Sequence, residues 1–234
     1  MTIQFISLFV LIGGNLMVES KGWKWEKANQ SPWLKPTDDV YYLANKWSEL
    51  GFKKVLDLGS GLGRHSIYFT QQGFKVSAMD ISDYGVNHLK EWAKKENLII
   101  DTKVGDMVSL LYEDNYFDCV FAYHAISHAD TEGIKRVIGE IERVLKQGGE
   151  IYTSMCSKES WDFSKSGFPK IDENTVLNKE DGPENDVPHF YANREDILSI
   201  FHNFDIERIR HIDYCYLNYE KTDCKYYYIN AHKK

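Results

Sequence analysis

The chain alternates between two patterns of apolar and polar residues. Short apolar runs typical of buried strands are followed by longer stretches with apolar residues at helical spacing. The predicted strands are Lys54–Leu58, Lys75–Met79, Leu98–Val104, Phe117–Ala122 and Glu150–Met155. The predicted helices are Asp38–Leu50, capped by Asp38 or Asp39, then Arg64–Gln72, Asp83–Lys95 and Thr131–Lys146, the last stopped by Gly148-Gly149. This alternation predicts right-handed βαβ crossovers and a mainly parallel sheet covered on both faces.

The alternation ends after Cys156. Residues 157–193 contain two glycines and three prolines, together with four lysines and eight acidic residues. Because structureless stretches of this length are usually lids or binding loops, we predict a lid insertion at about 157–193. A short helix, Arg194–His202, and two strand-like runs follow. Those runs, Asp205–Tyr214 and Lys225–Ala231, predict an antiparallel C-terminal hairpin at the sheet edge.

The N-terminal segment, residues 1–37, is predicted to be an extension that precedes one domain at 38–234. Its apolar run Ile3–Met17 is shorter than the ~20 residues that span a bilayer. A secretory signal requires a positively charged start, but no Lys or Arg precedes Lys21. Three interpretations stay open for residues 1–16: a segment outside the functional fold, a weak membrane or partner anchor, or a packed extra helix. The following tryptophans either roof a ligand or pack the first helix onto the sheet; they are Trp23, Trp25 and Trp33.

The overall composition narrows the classes of partner. The 234 residues are 43% hydrophobic, which supports a folded core, and carry a net charge of −7. An acidic protein is a poor passive binder of nucleic acid or of an anionic membrane, so neither partner is expected. The four cysteines form no CxxC pair and no zinc spacing, which predicts free thiols in a reducing, cytoplasmic location and no metal.

A glycine-rich turn after the first strand is the sharpest motif. Asp57-Leu58-Gly59-Ser60-Gly61-Leu62-Gly63-Arg64 leaves a strand and opens a helix. Glycines there allow a ligand to approach the backbone closely, and a helix N-terminus favours negative charge. A dinucleotide site of the GxGxxG type would place glycine where Arg64 stands. The turn alone therefore leaves the cofactor class open.

Two acidic residues extend the motif along the sheet edge. Asp80 ends the second predicted strand, where a carboxylate can accept both ribose hydroxyls of a nucleoside. Asp106 and Met107 follow the third strand, with Asp106 suited to the exocyclic amino group of adenine and Met107 to an apolar wall. Packing glycines, a locally bonded Asp57 and a turn role for Asp106 remain the alternatives.

With these residues the chain resembles the class I S-adenosylmethionine-dependent methyltransferases, particularly their small-molecule (type 11/25-like) branch, over about residues 38–234. The resemblance implies an α/β, doubly wound, Rossmann-like sheet of seven mostly parallel strands with an antiparallel C-terminal hairpin. It also implies S-adenosyl-L-methionine as the cofactor. The implied cofactor-binding residues are Asp57, Gly59, Ser60, Gly61, Gly63, Asp80, Ile81, Asp106, Met107 and Tyr123.

The stretch after the fourth strand holds the candidate catalytic residues. Tyr123 and His124 are implied near the transferred methyl, and His124 and His128 have the i,i+4 spacing of one helical face. Either imidazole is a candidate general base near neutral pH, with loop orientation or helix capping as the alternative for His128. A zinc site at this pair lacks a third ligand of obvious spacing. The candidate substrate residues are Trp33, His189 and Tyr191.

Three functions remain after these comparisons of motif and composition. The first is methyl transfer to a small-molecule acceptor by in-line displacement. The second is a nicotinamide-dependent oxidoreductase with a degenerate fingerprint, and the third is a non-catalytic S-adenosylmethionine-binding protein. The place of the (N/D)-P-P-(Y/F/W) motif of nucleobase amino-methyltransferases reads Ala122-Tyr123-His124-Ala125, and no proline precedes a cysteine, so a nucleic-acid substrate is not expected. Acceptor identity and oligomeric state stay open.

Overall fold

Nine strands form the central sheet of the computed structural model, which describes residues 20–28, 30–214 and 224–234. The strands are β1 Lys54–Leu58, β2 Lys75–Asp80, β3 Asp101–Val104, β4 Phe117–Ala122, β5 Leu145–Ser157, β6 Thr175–Leu177, β7 Pro188–Ala192, β8 Phe204–Tyr214 and β9 Cys224–Lys233. The helices are α1 Asp38–Glu49, α2 Arg64–Gln71, α3 Asp83–Lys95, α4 Thr131–Val144, α5 Trp161–Ser164 and α6 Arg194–Ile200, with two 3-10 helices at Trp25–Lys27 and Ser31–Leu34. The apolar run Ile3–Met17 and Cys215 lie outside the described residues.

Seven of the strands have the predicted arrangement. Strands β3, β2, β1, β4 and β5 lie side by side in parallel, and β9 inserts antiparallel between β5 and β8. The prediction of a mostly parallel sheet with an antiparallel C-terminal hairpin is therefore confirmed. In the described part of the chain, no helix is long and apolar enough to cross a membrane.

The lid segment adds two strands that the sequence pattern did not predict. Cys156 at the end of β5 pairs with Tyr226 of β9 on one side and with Tyr191 of β7 on the other. Strand β4 ends at Ala122, and beyond that point β7 pairs with the same edge of β5. The short strand β6 pairs antiparallel with β7. Because these elements are only three to five residues long, they leave too few periods to detect from sequence.

The two faces of the sheet bury alternate residues of the same strands. Leu56, Val120 and Ile151 pack with the buried face of α4 in one apolar cluster. Their neighbours Val55, Phe121 and Tyr152 pack with α1 in another, which includes fully buried Trp47. Since side chains alternate across a strand, this division shows that both faces of the sheet are covered.

Several element boundaries differ from the sequence prediction, and three of them bear on the predicted caps and strand limits. Thr37, not Asp38 or Asp39, is the residue before α1, and the two acids lie in the first turn, where the helix dipole favours them. Helix α4 ends at Val144 because Leu145 is already extended, so Gly148-Gly149 lies within an irregular start of β5 rather than ending the helix. Strand β3 starts at Asp101 instead of Leu98.

Candidate functional site

The glycine turn joins β1 to α2 at the carboxyl edge of the sheet. Gly61 has φ +54, and a Cβ there would lie 2.6 Å from Cζ2 of Trp25. Gly63 has φ +97, and its Cβ would lie 2.4 Å from Cδ1 of Leu89 in α3. Because Gly61 has no side chain, Trp25 can pack against the turn, and because Gly63 has none, α2 and α3 can pack closely. Gly63 is thus a packing glycine that does not line the crevice described below.

Asp80 lies directly beside this turn. Its Oδ2 accepts a hydrogen bond from Gly61 N at 2.8 Å, and its Oδ1 accepts one from Ser82 N at 2.8 Å. Burial raises the pKa of the Asp80 carboxyl, while these backbone donors oppose the rise. Each carboxylate oxygen has two lone pairs, so Asp80 retains acceptor capacity for a ligand.

A crevice of about 790 Å³ opens where the turn, Asp80 and the loop after β4 meet. The predicted residues among those that line it are Gly59, Ser60, Gly61, Asp80, Ile81, Met107, Tyr123, His124, His128 and Trp33. Arg64 and His65, which the sequence did not single out as ligand-binding, also line it.

Three tryptophans form one wall of the crevice. Trp23, Trp25 and Trp33 contact one another with ring centroids 4.6–5.7 Å apart. The Arg64 guanidinium lies 5.0 Å from the Trp33 ring. The three tryptophans thus line the crevice and are not part of the apolar cluster that packs α1 onto the sheet. Their role in covering a ligand remains a prediction.

Two predicted cofactor residues have other partners. Asp57 lies beneath the turn, where its Oδ2 accepts a hydrogen bond from Ser66 Oγ at 2.5 Å and burial raises its pKa to about 7. Asp106 accepts a hydrogen bond from Ser20 Oγ at 2.5 Å and one from Val108 N at 3.0 Å. Neither side chain lines the crevice. Their direct contact with a cofactor remains a prediction.

The loop after β4 is not helical, so the interpretation of His124 and His128 as one helical face was wrong. His124 has φ +52, a conformation that is uncommon for a non-glycine residue and that clusters at functional sites. Its backbone N donates to Ser154 Oγ at 2.7 Å, and its Nε2 lies 3.2 Å from the Tyr228 hydroxyl. Asp130, not His128, caps α4 through Gly133 N.

Burial determines the protonation state of both imidazoles. Desolvation lowers the pKa of His124 and of His128 to about 3. Both rings are therefore neutral at pH 7. A neutral ring can accept a hydrogen bond from a ligand, but a pKa this low makes it a weak base.

A second cavity, of about 510 Å³, lies on the other side of this loop. It shares His124 and His128 with the crevice and also contains the predicted residues His189 and Tyr191. Trp33 lines the crevice only. The other residues that line the second cavity are Ser127, Ser154, Cys156, Ser160, Asp162, Asn178, Glu184, Cys224 and Tyr226. The lid acids among them had been counted only as charges, because the lid has no periodicity that fixes their direction.

The N-terminal segment and the lid contact each other above these cavities. Lys24 N donates to Pro183 O at 3.1 Å, and Trp23 Nε1 donates to Glu184 Oε1 at 2.7 Å. Lys21 Nζ donates to Asp186 O at 3.1 Å. Residues 20–25 and 183–186 therefore close one end of the site together.

The residues of the crevice fit a sulfonium nucleoside. The Oγ of Ser60 is buried and has no hydrogen-bond partner among the described residues, so a polar donor or acceptor is available to a ligand. Asp80 supplies acceptors at the end of β2, and Met107 an apolar wall after β3. A doubly wound sheet with such a crevice at the carboxyl ends of its strands is the Rossmann-like arrangement of nucleoside-binding enzymes.

Comparison with known proteins relates part of this chain to a known family. Residues 56–153 match the family model described as a methyltransferase domain. A SAM-dependent methyltransferase from Methanosarcina mazei has the same fold, with a TM-score of 0.69 and 20% identity over 86% of this chain and 99% of that one. The chain is therefore similar to the S-adenosylmethionine-dependent methyltransferases, in sequence over residues 56–153 and in fold over most of its length. This similarity favours S-adenosylmethionine among the cofactor classes that the glycine turn left open.

Curated relatives are similar over part of their length. A sterol 24-C-methyltransferase of Gibberella zeae is 38% identical over 114 residues, which are 47% of this chain and 29% of that protein. A phosphoethanolamine N-methyltransferase of Plasmodium falciparum is 30% identical over 132 residues, which are 55% of this chain and 49% of that protein. The aligned part of the chain thus spans less than a third of the sterol enzyme and about half of the other.

Proposed function

We propose that this protein transfers a methyl group from S-adenosylmethionine to a small polar acceptor held in the second cavity. The observation that carries the proposal is that His124 and His128 line both the crevice and the second cavity. A cofactor in the crevice and an acceptor in the cavity would therefore meet at the end of β4. This is the edge at which open α/β sheets bind ligands.

The proposed role of the crevice is to hold the cofactor in one orientation. When bound, S-adenosylmethionine supplies a methyl group already activated by a sulfonium. Asp80 would accept ribose hydroxyls, and Ser60 Oγ would bond a polar group near the turn. Fixing two reactants in line contributes on the order of 7–11 kcal/mol to lowering a barrier, so alignment is the main task of these residues.

The chemistry of the second cavity supports a neutral or cationic acceptor. Asp162 and Glu184 line it, and among the described residues that line it there is no Lys or Arg. Burying an anionic acceptor beside two carboxylates would be unfavourable. The names of the relatives include a sterol and a phosphoethanolamine enzyme, which supports a small molecule as acceptor. We propose a cytoplasmic enzyme with no nucleic-acid or membrane partner, in keeping with its cysteine pattern and acidic charge.

Tyr123, His124 and His128 are proposed to position the acceptor. Burial raises the pKa of Tyr123, which lies with its hydroxyl 3.2 Å from that of Tyr228, so this phenol stays protonated and can donate. His124 and His128 are neutral and can accept. His124 and His128 line both cavities, whereas Tyr123 lines the crevice only, so the donor would act from the cofactor side and the two acceptors from the junction. Strong proton abstraction is not required of them when the accepting atom is a neutral amine nitrogen or a thioether sulfur, which can attack the methyl group directly.

A panel of acceptors, scored by release of S-adenosylhomocysteine, tests the proposal. The panel contains small amines, thiols and hydroxylated compounds, a sterol and an anionic carboxylate. We expect turnover with a polar neutral or cationic acceptor and none with the carboxylate. Turnover confined to the sterol or to the carboxylate would contradict the proposal, as would binding of the cofactor with no turnover of any acceptor.

A matched pair of variants locates the acceptor. Asp162→Asn changes only the second cavity, whereas Asp205→Asn changes an exposed residue of β8 far from both cavities. We expect Asp162→Asn to raise KM for a cationic acceptor and leave the affinity for S-adenosylhomocysteine unchanged. Asp205→Asn should alter neither. An unchanged KM in Asp162→Asn would place the acceptor elsewhere.

A further inference from the structure

A cluster of potential metal ligands lies inside the second cavity. One ring nitrogen each from His128 and His189 and a carboxylate oxygen of Glu184 lie within 4.8 Å of one another. The three side chains come from the loop after β4, from β7 and from the lid. Sequence reasoning found no third ligand because the two lid residues are distant along the chain and have no regular spacing from His128.

His189 is held as metal-binding histidines usually are. Its Nδ1 lies 3.1 Å from Val187 O, so an N–H there donates to a backbone carbonyl. This leaves Nε2, which lies 3.6 Å from Glu184 Oε1, directed into the cluster. A metal-ligating imidazole almost always donates its other N–H to a carbonyl or carboxylate, which fixes the tautomer and the ring orientation.

Glu184 is held from outside the cluster as well. Its Oε1 accepts the 2.7 Å hydrogen bond from Trp23 Nε1. In the described residues, no lysine or arginine pairs with this carboxylate. The carboxylate of Glu184 therefore faces the imidazoles of His128 and His189.

A second cluster in the molecule shows the contrast. Glu150, Glu207 and His232 also have ligand atoms within 4.8 Å of one another. There, however, the ammonium of Lys46 lies 2.9 Å from Glu150 and 2.5 Å from Glu207. The Lys46 ammonium already pairs with both carboxylates, so we interpret that cluster as an ion-pair network rather than a metal site.

We propose that His128, Glu184 and His189 bind one divalent ion of the zinc class. Two imidazole nitrogens and a carboxylate oxygen are ligands that Zn²⁺ accepts, and three protein ligands leave a position open, as in zinc sites that bind a substrate. Because His128, Glu184 and His189 all line the second cavity, an ion held by them would be accessible from that cavity. The metal site stands on its own geometry and is tested without cofactor or acceptor.

Metal titration of the whole chain, without cofactor or acceptor, tests the site. Protein treated with a chelator and then dialysed is titrated with Zn²⁺ by calorimetry and with Co²⁺ by visible absorption. We expect one tight equivalent and the d–d bands of low-coordinate Co²⁺. Loss of a hydrogen-bonding partner of a ligand costs 10–100-fold in metal affinity, so His189→Ala, which removes a ligand, should cost at least about 10²-fold.

Two further variants keep the result interpretable. Glu184→Gln has the same shape and still accepts from Trp23, so we expect it to fold and to weaken Zn²⁺ binding. His232→Ala removes the histidine of the other cluster and should leave the tight equivalent unchanged. If Zn²⁺ binds no more weakly to Glu184→Gln and His189→Ala than to the wild type, or binds the wild type only at millimolar concentration, the cluster is a His189–Glu184 ion pair without metal.

The outcome is separable from that of the proposed function. Affinity for S-adenosylhomocysteine, measured on the same variants, reports the crevice, which neither Glu184 nor His189 lines. Tight zinc binding with no methyl transfer would leave the metal site standing and refute the proposed function. Methyl transfer by a protein that binds no zinc would do the reverse.

Discussion

The two acidic side chains of Asp57 and Asp80, at the carboxyl edge of the sheet, have different tasks. Asp80 and Asp57 lie on adjacent strands, but Asp80 lines the crevice and bonds to the backbone of the glycine turn, whereas Asp57 bonds to Ser66 beneath it. The sequence motif places both acids correctly at the edge. It does not reveal which one faces outward, because that depends on the path of the turn.

Replacement of Asp80 tests its assignment to the ribose. Asp80→Ala removes up to two charge-assisted hydrogen bonds to the cofactor, each worth roughly 1.5–3 kcal/mol. Affinity for S-adenosylhomocysteine should fall by about 10²-fold or more, as measured by calorimetry. Asp83→Ala, at an exposed residue three positions on, is the control and should bind normally. An unchanged dissociation constant in a folded Asp80→Ala protein would refute the assignment.

Asp57 predicts a pH dependence of stability. Burial raises its pKa to about 7 in the folded protein, from about 3.9 in an unfolded chain. The folded state therefore binds the proton more tightly, and the contribution of Asp57 to stability falls as pH rises from about 4 to 7. Asp57→Asn cannot ionise, so its free energy of unfolding relative to wild type should increase between pH 5 and pH 8.

Denaturant unfolding at the two pH values measures this difference. Asp118→Asn is a control of opposite sign: although burial opposes it, bonding to Lys146 and to backbone N–H groups lowers the pKa of Asp118. The stability that Asp118 contributes is present above its unfolded pKa, so its difference from wild type should be constant from pH 5 to pH 8. A flat difference for Asp57→Asn as well would show that Asp57 ionises normally in the fold.

At the level of elements, the long strands and helices follow from periodicity and the short ones do not. Helix α3 has the predicted limits because Ser82 caps it and apolar residues repeat along one face. The lid strands β6 and β7 exist only because β5 continues past the end of β4 and offers an unpaired edge. That opportunity arises from the tertiary fold, which local sequence patterns do not contain.

The junction between α2 and α3 depends on one glycine. In Gly63→Ala, the alanine would have to keep φ +97, and its Cβ would lie 2.4 Å from Leu89 Cδ1. We expect a loss of stability of at least about 1–3 kcal/mol, measured by urea unfolding. Gly139→Ala lies on the exposed face of α4, where no described atom is within 4 Å, and should stabilise by roughly 0.5–1 kcal/mol. Equal effects of the two substitutions would contradict the packing role.

Across the whole molecule, the site is assembled from segments that are far apart in sequence. Residues 20–25, the glycine turn, the loop after β4 and the lid meet at one sheet edge. The cofactor side of this site is predictable, since its motif is local to β1, β2 and their turns. The acceptor side is not, because Asp162 and Glu184 are brought in by a lid whose path depends on its pairing with β5 and its contacts with Trp23 and Lys24.

Binding of S-adenosylhomocysteine and of NAD to the unmodified protein tests the central claim most directly. Calorimetric titration of each compound compares the two nucleoside cofactors that the glycine turn alone allowed. The account predicts one equivalent of S-adenosylhomocysteine bound at micromolar concentration or below, and no heat from NAD in the same range. Tight binding of NAD with no response to S-adenosylhomocysteine would contradict it.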